Sequence, residues 1–168
     1  MPSLAQPFTD IQITAVSDGP FFVDELFKLK FGGPAPDYGH SVIAFWRKDY
    51  QRFVPLCYTN FLPYEGVILV GGAMTDSRVL RQLPADTRQE IRAGGGAYYA
   101  VLKYAFHRFG PECEAFFGFA ADTRALRVDL AAGFEHTGHE NLIVHFHKPL
   151  AAAQKHSLIE KIHQIGAF

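Results

Sequence analysis

Three consecutive glycines, Gly94-Gly95-Gly96, stand directly ahead of a segment in which Val101, Leu102, Ala105, Phe106 and Phe109 recur at helical spacing. Each glycine inside a helix costs about 0.5–1 kcal/mol relative to alanine, so the run constrains how this part of the chain folds. Two arrangements are open. In one, a single helix from about Asp86 to Phe109 encloses the glycines and uses their small size for a close packing contact. In the other, they form a loop ahead of a helix over Tyr98 to Phe109. The second arrangement builds an anion site, because the first amides of a helix lack partners, its dipole is positive there, and glycine lets an oxyanion approach the backbone.

The flanking segments read as alternating elements. Ile11 to Val16 alternates with period two and ends at the turn Ser17-Asp18-Gly19-Pro20, which predicts a strand. Phe21 to Lys30 is the first helix, and Phe31 to His40, with its glycines and prolines, an irregular loop. Ser41 to Arg47, Arg52 to Phe61 and Val67 to Thr75 read as an antiparallel meander. A short helix follows over Ser77 to Leu83, then a break at Pro84 and a polar lead-in, Ala85 to Glu90. Beyond the central helix come a strand at Cys113 to Ala120, an Asp122-capped helix to about Ala132, strands at Phe134 to Thr137 and Asn141 to Lys148, and an amphipathic helix over Ala151 to Ile165.

A chain of 168 residues with 48% hydrophobic content and sixteen phenylalanines has the makings of one domain with a large core, spanning residues 1–168, its core at about 10–148 and its last helix at about 151–165. A formal net charge of −1 argues against a general electrostatic grip on nucleic acid. Cys57 and Cys113 lie apart in apolar runs and read as buried free thiols of a reducing compartment. Met1 to Asp10 has neither a basic start nor an apolar run, and no segment has the length of a membrane span, so the expectation is a cytoplasmic protein without membrane contact.

Arg92-Ala93-Gly94-Gly95-Gly96-Ala97 fits Arg/Gln-x-x-Gly-x-Gly/Ala and is followed by a helix, a strand, then Asp122, Ala125 and Gly133-Phe134. This resembles the GNAT superfamily of acyl-CoA-dependent N-acyltransferases, in which that loop holds the pyrophosphate of coenzyme A. The order of elements over about residues 10–148 is similar too. The resemblance implies an α/β (α+β) fold with one mixed, largely antiparallel sheet flanked by helices, acetyl-CoA as co-substrate, and a primary amine of a small molecule or protein as acceptor. Its homodimers are compatible with this chain. The alternative is a catalytically silent GNAT-like domain serving as a ligand-binding or structural module.

By the resemblance, the cofactor falls on Arg92, Ala93, Gly94, Gly95, Gly96 and Ala97 for its pyrophosphate, and on Leu69, Val70 and Gly71 for its pantetheine arm. The Gly71-Gly72 pair suits a bulge or a close approach in a strand. The pattern departs from the family at Asp122, where Asn is usual, and at Asp129, where the acidic Tyr is usual. Acyl transfer to an amine needs a base for the amine proton and an acid for the departing thiolate. Glu65 is the candidate base. Asp129 reads as a surface carboxylate, a poor acid unless burial raises its pKa. Tyr98 is the stand-in acid, with Tyr58, Tyr64 and Tyr99 behind it. His136, His139, His145 and His147 match no zinc spacing and no Cys accompanies them, so no metal is expected.

Overall fold

The computed structural model describes residues 6–168, so the first half of the Met1 to Asp10 start, residues 1–5, lies outside the described residues. Seven strands form one sheet in the order β1-β2-β3-β4-β5-β7-β6. They are β1 (Ile11–Val16), β2 (His40–Asp49), β3 (Arg52–Tyr64), β4 (Val67–Thr75), β5 (Ala115–Phe119), β6 (Glu135–His136) and β7 (Leu142–Phe146). Every neighbouring pair is antiparallel except β4 and β5, which are parallel and joined by a helical crossover. The α/β reading of the sequence therefore holds, and the meander of the three middle segments lies where the periodicity placed it.

The helices are α1 (Gly19–Phe31), α2 (Ser77–Gln82), α3 (Ala85–Ala93), α4 (Ala97–Phe109), α5 (Thr123–Ala132) and α6 (Ala152–His163). Asp18 caps α1 through Phe21 N–H at 3.1 Å, Pro20 occupies its first turn, and Gly32 ends it at φ +78°. No helix among the described residues is long and apolar enough to cross a membrane.

Both faces of the sheet are covered, which explains the near-continuous apolar runs in its middle strands. On one face Val42, Ala44, Phe61, Ile68, Val70, Phe116 and Ile143 pack against Val79, Ile91, Val101, Leu102, Ala105 and Phe106 of α2, α3 and α4. On the other, Ile43, Phe45, Tyr58 and Met74 meet Val23 of α1, while Val67, Leu69, Phe117 and Val144 meet Ile162 of α6. Ile68 and Val70 face one side and Val67 and Leu69 the other, the alternation a strand imposes.

The segment Ala85 to Glu90, read as a polar lead-in, is the body of α3. Only Thr87 and Ile91, one turn apart, are buried. Six of its nine residues are polar or charged, so the segment has little apolar surface of its own, and packing of Ile91 into the core holds the helix in place. The carboxylate of Asp86 in its first turn and the guanidinium of Arg92 in its last suit the helix dipole.

Candidate functional site

Two local decisions of the backbone create the main groove. The first lies in β4. Its parallel ladder with β5 runs only over Ile68↔Phe116, Leu69↔Phe117 and Val70↔Gly118, although β4 stays paired with β3 as far as Thr75↔Cys57. From Gly71 to Thr75, the edge of β4 that would face β5 has no strand beside it. The cause is a bulge. Thr59 pairs with Ala73 and Phe61 with Val70, so Asn60 faces both Gly71 and Gly72, and the extra residue turns β4 away from β5. A Cβ on Gly72 would sit 3.3 Å from the ring of Phe27 on α1, tighter than an ordinary contact, so the ring would have to shift by a few tenths of an ångström. Leu69 and Val70 are paired on both sides and buried, so of the three pantetheine candidates only Gly71 reaches the open edge.

The second decision is made by the glycine run. Helix α3 stops at Ala93 and α4 starts at Ala97, so the glycines form a link between two helices and not the interior of one. Gly95 at φ +96° and Gly96 at φ +103° adopt backbone that side-chain-bearing residues avoid. Their amides are not free, however. Gly94 N–H donates to Glu90 O at 2.9 Å, Gly95 N–H to Arg92 O at 3.3 Å and Gly96 N–H to Ile91 O at 2.8 Å, closing the C-terminus of α3. Arg92 and Ala93 lie inside α3. The reading of an amide cradle over Arg92 to Ala97 therefore contracts. The unpaired donors begin at Ala97 and continue through Tyr98 and Tyr99, because the first bond into α4 is Ala100 N–H to Gly96 O at 3.3 Å and no side chain caps the helix.

Between these two features runs a groove in two lobes. One, of about 440 Å³, lies along Ala73, Met74 and Thr75 with Lys30, Asp122 and Ala125 at its rim. The other, of about 480 Å³, reaches the start of α4 between Arg81, Arg88 and Arg92. Thr75, Tyr98 and Val128 line both. None of the three arginines is ion-paired among the described residues, although Arg88 donates to the Arg81 carbonyl at 3.4 Å. Three guanidinium groups and an uncapped helix N-terminus at one end of a groove form a receptor for a doubly charged anion. Arg81 and Arg88 went unrecognised in the sequence because Pro84 separates their helices. The spacing Arg81, Arg88, Arg92, seven then four residues, was the available signal.

Asp129 departs from its sequence reading. It is 4% exposed, not a surface carboxylate, and accepts a hydrogen bond from Tyr98 Oη at 2.8 Å. Burial pushes its pKa up to about 6, and the Tyr98 hydroxyl only partly offsets this. The phenol of Tyr98 is in turn driven well above its usual pKa, first by burial and then by the Asp129 charge, so it keeps its proton. The pair joins α4 to α5, with Tyr98 in the groove wall and Asp129 behind it.

The remaining candidates are not brought to the groove. Glu65 sits in the β3–β4 turn at φ +45°, at the end of β4 away from the bulge, and pairs with Lys161 of α6. Tyr58 is buried beneath α1, Tyr64 packs on the α6 side and Tyr99 lies against the opposite wall of α4, beside Gln6, Phe8 and Lys103. His139 bonds Glu160 at 2.7 Å and stacks on His163, and among the described residues no His, Cys, Asp or Glu group is arranged to hold a metal.

A second cavity, of about 890 Å³, opens under α1 and the 32–39 loop and reaches β4 at Gly71 and Gly72, next to the Ala73 end of the groove. Asp18, Asp24 and Asp37 stand in its wall with Phe21, Phe27 and Tyr38. The 98% buried Asn60 also lines this space and donates its Nδ2 to the Tyr38 carbonyl at 2.7 Å.

Solved structures share this architecture. The ribosomal-protein-S5-alanine acetyltransferase of Vibrio fischeri matches 88% of this chain and 100% of its own with a TM-score of 0.54 and 11% identity. A Lactobacillus plantarum protein described as an N-acetyltransferase matches 83% of this chain and 100% of its own at a TM-score of 0.50 and 13% identity. The chain has the GNAT fold. A GNAT family acetyltransferase of Brucella melitensis, solved with acetyl-CoA, also matches, with a TM-score of 0.45 over 84% of this chain and 90% of its own at 11% identity. No protein-family model and no curated protein sequence matches the chain.

Proposed function

We propose that this protein is an acyl-CoA-dependent N-acyltransferase, with acetyl-CoA as donor and a primary amine of a small molecule or protein as acceptor. The observation that carries the proposal is the groove itself. An unpaired β4 edge begins at a glycine bulge and leads to an uncapped helix N-terminus flanked by Arg81, Arg88 and Arg92. A long ligand with amide groups along its arm and a pyrophosphate at its end matches that sequence of partners. The Ala97, Tyr98 and Tyr99 amides and the guanidinium groups would hold the phosphates. The backbone from Gly71 to Thr75 would bond the pantetheine amides as a neighbouring strand would. Acetyl-CoA would supply a thioester, whose acyl group is already activated toward nucleophiles.

The chain's own groups then set the rate. Gly71 and Gly72 lie where the groove meets the second cavity, so an amine entering beside Asp18 and Asp37 would arrive at the bulge as a cation attracted by carboxylates, Asp24 being already paired with Lys28. Loss of its proton falls to water, since Glu65 is remote. Among the described residues Tyr98 is the only phenol in the groove wall, and its proton is committed to Asp129. Delivering that proton to a thiolate requires breaking the bond, and one positioned acid is worth roughly 10²–10⁴ in rate. Slow transfer is therefore expected. The same commitment supports the second reading, a domain that binds the cofactor without fast chemistry.

A thiol-release assay over a panel of amines separates the cases. Slow release that falls further in Tyr98→Phe supports a transferase with Tyr98 as its acid. No release above the spontaneous rate, in protein that binds CoA, supports the silent domain.

A further inference from the structure

Lys30 ends α1 and reaches across the mouth of the groove. Its Nζ donates to the carbonyl of Ala73 at 2.9 Å, on the stretch of β4 that has no strand beside it. It lines the same lobe as Thr75, Tyr98 and Asp122. An amine nitrogen is thus held one residue beyond the Gly71-Gly72 bulge, where the groove and the acidic cavity meet. No carboxylate is paired with it among the described residues, although Lys28, about half a turn earlier on the far side of α1, is locked to Asp24 at 2.7 Å. Lys30 is on the exposed surface and its partner is a neutral carbonyl, so releasing it costs little.

We propose that Lys30 is a self-acylation site: an acyl thioester lying along Gly71 to Thr75 transfers its acyl group to Lys30 Nζ of the same chain. The inference rests on the acyl-CoA reading given above. In the step, the unprotonated amine attacks the thioester carbonyl, a C–N bond forms and the C–S bond breaks. The proton lost by the nitrogen goes through water to the departing sulfur, giving an amide and free CoA thiol. The charge of Lys30 is lost, and with it the cation facing Asp122 at the groove mouth.

Three measurements on the full chain test this. In the first, calorimetry with CoA establishes whether the groove is occupied at all; absence of binding removes the acyl-CoA reading, and this inference with it. Second, labelling of lysines with acetic anhydride should be reduced at Lys30 by CoA while Lys48, Lys103 and Lys155 label as before. Third, incubation with acetyl-CoA followed by peptide mass analysis should show Lys30 modified on the order of a hundredfold faster than those lysines, the advantage of a positioned amine over a free one. Denaturing the chain in urea should abolish that preference. Lys30→Arg, which keeps the charge and the bond to Ala73, should bind CoA as the wild type does and show no preferred site. CoA binding accompanied by uniform lysine modification, or by no protection of Lys30, would overturn the proposal while leaving the cofactor reading intact.

Discussion

Replacing Asp129 by Asn should stabilise the protein above neutral pH. Asn keeps an oxygen to accept the Tyr98 hydroxyl, and the two side chains have nearly the same shape, so the substitution removes the charge and little else. The carboxyl has a pKa of about 6 in the folded protein against a reference of 3.8, a difference of roughly two units, or about 3 kcal/mol of penalty for the buried anion. The value of about 6 already includes the bond that Tyr98 donates to the charged form, so that bond is not subtracted again. A gain of up to about 3 kcal/mol is expected at pH 8. The sign follows from linkage: a raised folded pKa adds stability that is full below 3.8 and lost as pH climbs through 6. The advantage of Asn should therefore shrink as pH falls and vanish near pH 4. Urea unfolding between pH 4 and 8, followed by fluorescence of the sole tryptophan, Trp46, buried beneath the helices, measures it directly. A variant less stable than wild type at pH 8, or a difference independent of pH, would refute the reasoning.

Three further outcomes follow. Gly96→Ala forces φ +103° on a residue with a side chain; nothing lies within 4 Å of the new methyl, so the cost is backbone strain alone, about 1–3 kcal/mol in urea unfolding. Arg88→Ala and Arg92→Ala should each weaken CoA binding about tenfold with little change in stability, by calorimetry and thermal melting. Cys57 and Cys113, both driven up to about 11 mainly by burial, should resist a thiol reagent at pH 8 in the folded protein and react at once in urea.

Much of the fold was legible because the apolar periods are strong. The alternation in Ile11–Val16 and the helical stripe of Val101, Leu102, Ala105 and Phe106 each dictate an element by themselves. Helix α3 was legible only as one of two arrangements, since the mostly polar Ala85 to Ala93 segment fits either a lead-in or the start of one long helix. The site was read in part. The glycine run does break between helices, but the amides of Gly94, Gly95 and Gly96 are spent on closing α3, so the structure combines part of each of the two arrangements open in the sequence. The open edge of β4 depends on where its ladder with β5 stops, and pairing between segments some fifty residues apart leaves no local trace, so nothing in the sequence separates Leu69 and Val70, paired on both sides, from Gly71 at the open edge. Asp129 resembled a surface residue because a carboxylate usually is one, and only the packing of α5 on α4 buries it. Lys30, at the end of a first helix whose own residues suggest nothing beyond packing, reaches the site through its length alone.

Calorimetric titration of CoA into the purified protein addresses the central claim most directly. A saturable heat at or below about millimolar ligand, reduced in Arg92→Ala and unchanged in Glu65→Gln, is the expected result. Folded protein that gives no heat of binding at that concentration, or binding indifferent to Arg92, would contradict it.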